Sequence, residues 1–163
     1  MKKLLIMLML IAPTTMFAQK FGHVNTQEIL QSLPDVAKAN GEIEALQKEK
    51  ENELKAMQDE LQRKMDQYEQ TQSTMNATKK QETETELQGL YQKVQQAYQD
   101  GQQELQKVQQ EKMTPIIEKV RKAIDAVGQA GGYVMIFEDG AALYTGSQCT
   151  DLTSAVRAEL NKK

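Results

Sequence analysis

From Asp35 to Val127 the chain contains almost nothing that would interrupt a helix, and this stretch restricts the fold more than any other feature. It is dense in Gln, Glu, Lys and Ala, and it lacks the strict apolar–polar alternation of a strand. Its apolar side chains recur mostly at steps of three and four. The first series is Val36, Ile43, Leu46, Leu54, Met57, Leu61, Met65 and Tyr68; the second is Leu87, Leu90, Val94, Tyr98, Leu105, Val108, Ile116, Val120, Ile124 and Val127. Each series puts one narrow apolar stripe on a helix. The spacing from Leu54 through Leu61 to Met65 departs from a strict heptad and favours local straightening over a tight supercoil. Opposite charges four apart, such as Glu44/Lys48, Glu51/Lys55, Asp59/Arg63, Glu60/Lys64 and Glu118/Lys122, predict a solvated outer face.

The two series are separated by residues 71–80, where Ser73, Thr74 and Asn76 supply turn and cap chemistry. The prediction is a long antiparallel helical hairpin over 35–127 with its tip at about 71–80. Each helix would reach on the order of 55–75 Å at 1.5 Å per residue. Pro115 falls inside the returning helix and is expected to kink it.

The flanks read differently. Phe21 and Val24 mark a short strand from Lys20 to Asn25. A brief helix carrying Ile29, Leu30 and Leu33 follows and ends at Pro34. After Gly131-Gly132, the run Tyr133-Val-Met-Ile-Phe137 is strand-like, and Asp139-Gly140 is a turn signal. Ala141-Ala-Leu-Tyr144 is then expected to return as a second strand. Thr150 or Asp151 would cap a last helix with Leu152, Val156 and Leu160 on one face. The fold class is mostly α with a small β part: residues 19–34 and 128–163 form a β-rich base, and 35–127 form an arm.

A base of this size buries too little surface to stand comfortably alone, and three short strands leave open edges. Oligomerisation is therefore expected, with Phe21, Val24, Val134, Ile136 and Leu143 in a shared core.

At the N-terminus, Lys2 and Lys3 precede the apolar run Leu4–Ala12, and Ala18 is a small residue at a cleavage point. Residues 1–18 therefore read as a secretory signal cleaved after Ala18. The apolar run is shorter than the ~20 residues a membrane span needs. Cleavage would leave 145 residues with 18 basic and 23 acidic side chains. That sign of charge offers no general attraction to nucleic acid. Cys149 is the lone cysteine, so no disulfide forms within the chain; it is either a small packed hydrophobe or a pairing point between chains.

No set of catalytic residues emerges. His23 is the one histidine, the carboxylates follow helical charge patterning, no Gly-rich phosphate loop is present, and Cys/His metal ligands are too few. Neither an enzyme nor a cofactor-binding protein is expected. What invites a functional reading is the arm, where Met57, Met65 and Met75 lie towards the tip with Tyr68 and Tyr98 nearby. Methionine suits surfaces that must accept many apolar partners. The alternative is that these side chains simply join the two helices.

Three segments resemble a known family. Phe21-Gly-His-Val-Asn25 with Ile29-Leu30 and Pro34 is similar to the opening strand and helix of the Skp/OmpH chaperones. Pro115-Ile116 with Val120 and Ala123-Ile124 is similar to the end of their returning arm, and Gly132–Phe137, Ala142-Leu-Tyr144 and Asp151-Leu-Thr153 with Val156 to their C-terminal part. The resemblance implies a periplasmic, ATP-independent holdase: a homotrimer whose strands build a small barrel and whose arms surround unfolded outer-membrane proteins. It also implies weak client contacts near Met57, Met65, Tyr68, Met75, Leu87 and Leu90. The arm carries 14 Lys/Arg against 18 Asp/Glu, unlike the basic members of that family, so lipid or lipopolysaccharide binding through a basic patch is not expected. A structural coiled-coil spacer of the envelope is the alternative; it would call for an unbroken heptad seam, which this chain lacks.

Overall fold

The computed structural model describes residues 19–162, and the expected signal segment with its cleavage after Ala18 lies outside the described residues. In chain order the elements are β1 (Lys20–Val24), α1 (Thr26–Ser32), α2 (Pro34–Thr71), a 3-10 turn (Gln72–Thr74), α3 (Ala77–Gly131), β2 (Tyr133–Glu138), β3 (Cys149–Asp151) and α4 (Thr153–Leu160). They divide into two compact units: a sheet unit, up to Thr26 and from Lys122 onward, and a long-helix unit, Gln27–Arg121.

In the sheet unit β1 is central, in the order β2-β1-β3, and both neighbours run parallel to it. Phe21 pairs with Met135 on one side and with Cys149 on the other. This corrects the expected terminal hairpin: Ala141–Tyr144 is not a strand, and the third strand is Cys149–Asp151. The reason lies in the turn. Ala141 N–H donates to the Glu138 carbonyl at 3.0 Å, so the Asp139-Gly140 turn does form. Gly140 has φ +79°, but among the described residues no non-glycine residue has positive φ, so Asp139 stays in the ordinary region. That is the φ pattern of a type II turn, whose twist does not suit a tight hairpin, whereas a type I′ turn needs positive φ at both central residues. Asp139 N–H also donates to the Val24 carbonyl at 2.8 Å, which draws the chain towards the end of β1 instead of back along β2.

The start of α4 is tied to β1 by a relay of polar groups. Leu152 N–H donates to the His23 carbonyl at 2.8 Å, and Asn25 N–H donates to Thr153 Oγ1 at 3.0 Å. Thr153 N–H in turn donates to Asp151 Oδ1 at 2.9 Å. Hydrogen bonds from the Thr153 side chain and backbone hold the Asp151 carboxyl below its ordinary range. Thr153 is buried, and the buried apolar side chains of this unit are Val24, Ala123, Leu152 and Val156. Thr153→Val keeps the shape but removes the hydroxyl that accepts from the Asn25 amide and donates to the Asp151 carboxylate. It should lower stability by about 1–2 kcal/mol, read as a shift of the urea midpoint at unchanged m-value.

In the long-helix unit, α1 ends before Leu33, and Pro34 opens α2 at a position where its missing N–H costs nothing. At the break between α2 and α3, Asn76 Oδ1 accepts the Lys79 amide at 2.8 Å and caps the start of α3. Cross-helix ion pairs join Asp35 to Lys119 at 3.0 Å and Lys50 to Glu104 at 2.9 Å, and further pairs join Glu42 to Lys112 and Lys64 to Glu86. As the α2 number rises, the α3 number falls. Lys64 thus takes its partner from the opposite helix and not from Glu60, as the spacing within α2 suggests. Hydrogen bonds from Lys112 and Lys64, followed by their charge, hold the Glu42 and Glu86 carboxyls below the ordinary range. Such solvated pairs add little stability singly; their value is in setting register. α3 continues as helix through Pro115.

The thoroughly buried apolar side chains of this unit are Ile29, Leu33, Ala39, Ile116 and Val120. Every seam residue from Ile43 to Tyr68 and from Leu87 to Leu105 is half-buried at best, Gly101 excepted. A narrow stripe on two helices, with nothing else to cover it, can bury no more than this.

Candidate functional surface

The side chains singled out around the 71–80 break divide in two. Tyr68, Met75 and Leu87 come together around a hollow of about 210 Å³ that Lys64, Thr71, Lys79 and Glu86 also line. The Tyr68 hydroxyl donates to a Glu84 carboxylate oxygen, and this bond pushes the phenol's pKa up. Met57 and Leu90 are half-buried along the seam, and Met65 is exposed. These three do not line the hollow. Large apolar or aromatic side chains left open elsewhere in the unit are Tyr91, Tyr98 and Ile117. Tyr91 and Ile117 escaped the sequence reading. The signal for Tyr91 was present, since Tyr91 and Tyr98 stand seven apart among glutamines and so share a face.

In the sheet unit the five expected core residues occupy three environments. Val24 is buried within the chain itself, Phe21 and Ile136 are half-buried, and Val134 and Leu143 are exposed. Phe21 stacks on Phe137 with ring centroids 6.5 Å apart. Met135 and Tyr144 are also open to solvent. A hollow of about 300 Å³ beside Phe21 and Phe137 is lined by Tyr144 and by the half-buried thiol of Cys149. A parallel sheet normally has both faces covered, so apolar side chains exposed on β2 and the loop after it are surface that a partner can cover.

His23 Nδ1 lies 3.3 Å from an Asp139 carboxylate oxygen, outside good hydrogen-bond geometry. Among the described residues no group of three His, Cys, Asp or Glu side chains is placed to hold a metal ion, and no helix is long and apolar enough to cross a membrane.

A small parallel sheet and two long helices with a thin seam define a mostly helical protein with a small sheet, and apolar side chains are left open in both units. The sequence matches the OmpH-like outer membrane protein family over residues 20–160, and the chain belongs to that family. An OmpH-like protein of Caulobacter crescentus CB15, presented with its crystal structure as a candidate outer membrane chaperone, has a similar fold. The TM-score is 0.76 over 88% of this chain and 84% of that one, at 16% identity. No curated protein sequence matches the chain.

Proposed function

We propose that the protein is an ATP-independent periplasmic holdase. In this reading it forms a homotrimer through the sheet unit and keeps unfolded outer-membrane proteins soluble between antiparallel helical arms. The observation that carries the reading is the set of apolar and aromatic side chains left open on the long helices, Met65, Tyr91, Tyr98 and Ile117, on a chain of the OmpH-like family. Each such side chain can bury only part of its surface against a client, at about 25 cal/mol per Å² of apolar area. Single contacts of that size break thermally, and many together retain a chain, so release needs no energy source. Met57, Met65, Tyr68, Met75, Leu87 and Leu90 are the proposed contacts at and beyond the hollow near Met75.

The reading is tested by diluting a urea-unfolded outer-membrane β-barrel protein into buffer with one trimer equivalent of the mature protein and no nucleotide. Light scattering should stay near baseline and the client should remain in the supernatant. Unchanged aggregation at several-fold excess of the trimer would remove the holdase reading.

A further inference from the structure

On one side of the long-helix unit the seam opens into two hollows of about 460 and 430 Å³ that share Leu54 and Tyr98 in their walls. Their lining residues fall on one stripe of each helix. On α2 the stripe runs Ile43, Gln47, Glu51, Leu54, Gln58; on α3 it runs Gln95, Tyr98, Gln102, Leu105, Gln109. Steps of three and four keep each stripe on one face, so the hollows follow one another along a single furrow, with the Tyr98 ring between them. The furrow spans the fifteen residue steps from Ile43 to Gln58, roughly 22 Å at 1.5 Å per residue.

The cause of the opening lies in the seam itself. At this level the seam position on α2 is Lys50, and Gly101 faces it: a Cβ added to Gly101 would lie 3.7 Å from Lys50 Cβ. Seam steps of four and four occur on both helices here, Leu46–Lys50–Leu54 and Ala97–Gly101–Leu105, so both stripes shift phase at one place. Gly101 is buried and an added Cβ would already touch the lysine stem, so α3 comes close to Lys50 at this level and the hollows open beside that approach.

The chemistry of the furrow selects its occupant. The floor is apolar, with Ile43, Leu54, Val94, Ala97 and Leu105, and the rim carries Gln47, Gln58, Gln95, Gln99, Gln102 and Gln109. Its charged residues are Lys50 and Glu51. Lys50 is bound by Glu104 at 2.9 Å, and Glu51 accepts from Gln47 at 2.8 Å. The two signs cancel, and both groups already have partners, so in an acidic chain this furrow offers nothing to a charged ligand. Each glutamine amide both donates and accepts, as a peptide group does.

We infer that the furrow takes an uncharged, extended segment of an unfolded client, of about six or seven residues at ~3.3 Å each, with its backbone on the glutamine rim and alternate side chains in the hollows beside Tyr98. A transmembrane β-strand has this character, since its lipid-facing residues are apolar at every second position. The inference rests on the holdase reading and moves the main client contact from the methionines near the 71–80 break to the Lys50–Gly101 level.

The test charges the rim without touching the floor. The combined variant Gln95→Glu, Gln102→Glu, Gln109→Glu is compared with Gln92→Glu, Gln103→Glu, Gln110→Glu, which adds the same charge on another face of α3; all six positions are exposed. The probe is a fluorescently labelled, urea-unfolded eight-stranded outer-membrane protein, titrated with the full mature chain. The rim variant should raise the Kd at least fivefold and the control less than twofold. Equal effects of the two variants, or none, overturn the furrow while wild-type binding keeps the holdase reading intact. If the wild type itself binds no client, both fall. If the rim variant alters the sedimentation coefficient and leaves the Kd unchanged, the furrow belongs to a second copy of the chain, which also overturns the inference.

Discussion

Gly22→Val should abolish the native sheet unit. Gly22 is in the middle of β1, which is hydrogen-bonded on both sides and so cannot shift without weakening two ladders. A Cβ placed there would lie 2.5 Å from Leu152 Cδ1, 3.1 Å from Leu152 Cγ and 3.3 Å from the Thr150 carbonyl oxygen. Leu152 is buried and its backbone N–H is bonded to the His23 carbonyl, so its side chain has no free space to enter. Overpacking of this kind costs about 1–3 kcal/mol for one extra carbon. Valine adds two further carbons and a stiff χ1 on the same face.

For Gly22→Ala the expectation is a reduction of about 1–3 kcal/mol, somewhat offset because glycine is itself unfavourable within a strand by roughly 0.5–1 kcal/mol. For Gly22→Val the urea transition should lose its cooperative baseline. The pair Gly22→Ala with Leu152→Ala provides the control. If the clash is the cause, the double variant should be more stable than the sum of the two single losses implies, by a coupling energy above about 0.5 kcal/mol. A wild-type urea midpoint for Gly22→Val would mean that Leu152 does not pack on this strand.

That close approach is also where sequence reasoning stopped. The helices were legible because their signal is local. Apolar steps of three and four, Pro34 at the start of α2 and Asn76 at the start of α3 act within a few residues of themselves. β1 and β2 were legible for the same reason, since Phe21, Val24 and Tyr133–Phe137 have strand composition in their own right. β3 was not. Cys149-Thr-Asp151 has no apolar alternation, and it is a strand because a distant β1 has a free edge that pairs with it. Ala141–Tyr144 has the better strand composition, yet it is left out by the φ pattern of one turn. The surface was half legible in the same sense. Composition pointed to the methionines, whereas the exposure of Tyr91 and the close approach of Gly101 to Lys50 depend on which residue each faces across the seam.

Leu143→Asp should convert the assembled protein to monomers without unfolding them. Leu143 has a relative exposure of 110%, so in the single chain it makes no packing contact and a charge there costs the fold almost nothing. If the proposed trimer buries this side chain with Val134 and Tyr144, which are also open, the same substitution places three carboxylates in a space meant to be dry. An unpaired buried charge costs several kcal/mol, repeated at each interface, which is more than a contact of small strands can absorb. Sedimentation velocity at micromolar concentration should therefore show wild type as a trimer and Leu143→Asp as a monomer. The far-ultraviolet circular dichroism of the two should agree, because the helices and the buried group around Val24, Leu152 and Val156 lie within one chain. Val24→Asp is the informative contrast, since Val24 is 2% exposed in the single chain and its replacement should unfold the sheet unit at any concentration. A Leu143→Asp protein that still sediments as a trimer would place the loop after β2 outside the interface. A wild type that sediments as a monomer would remove the trimer altogether, and with it the enclosed space in which a client is proposed to be held.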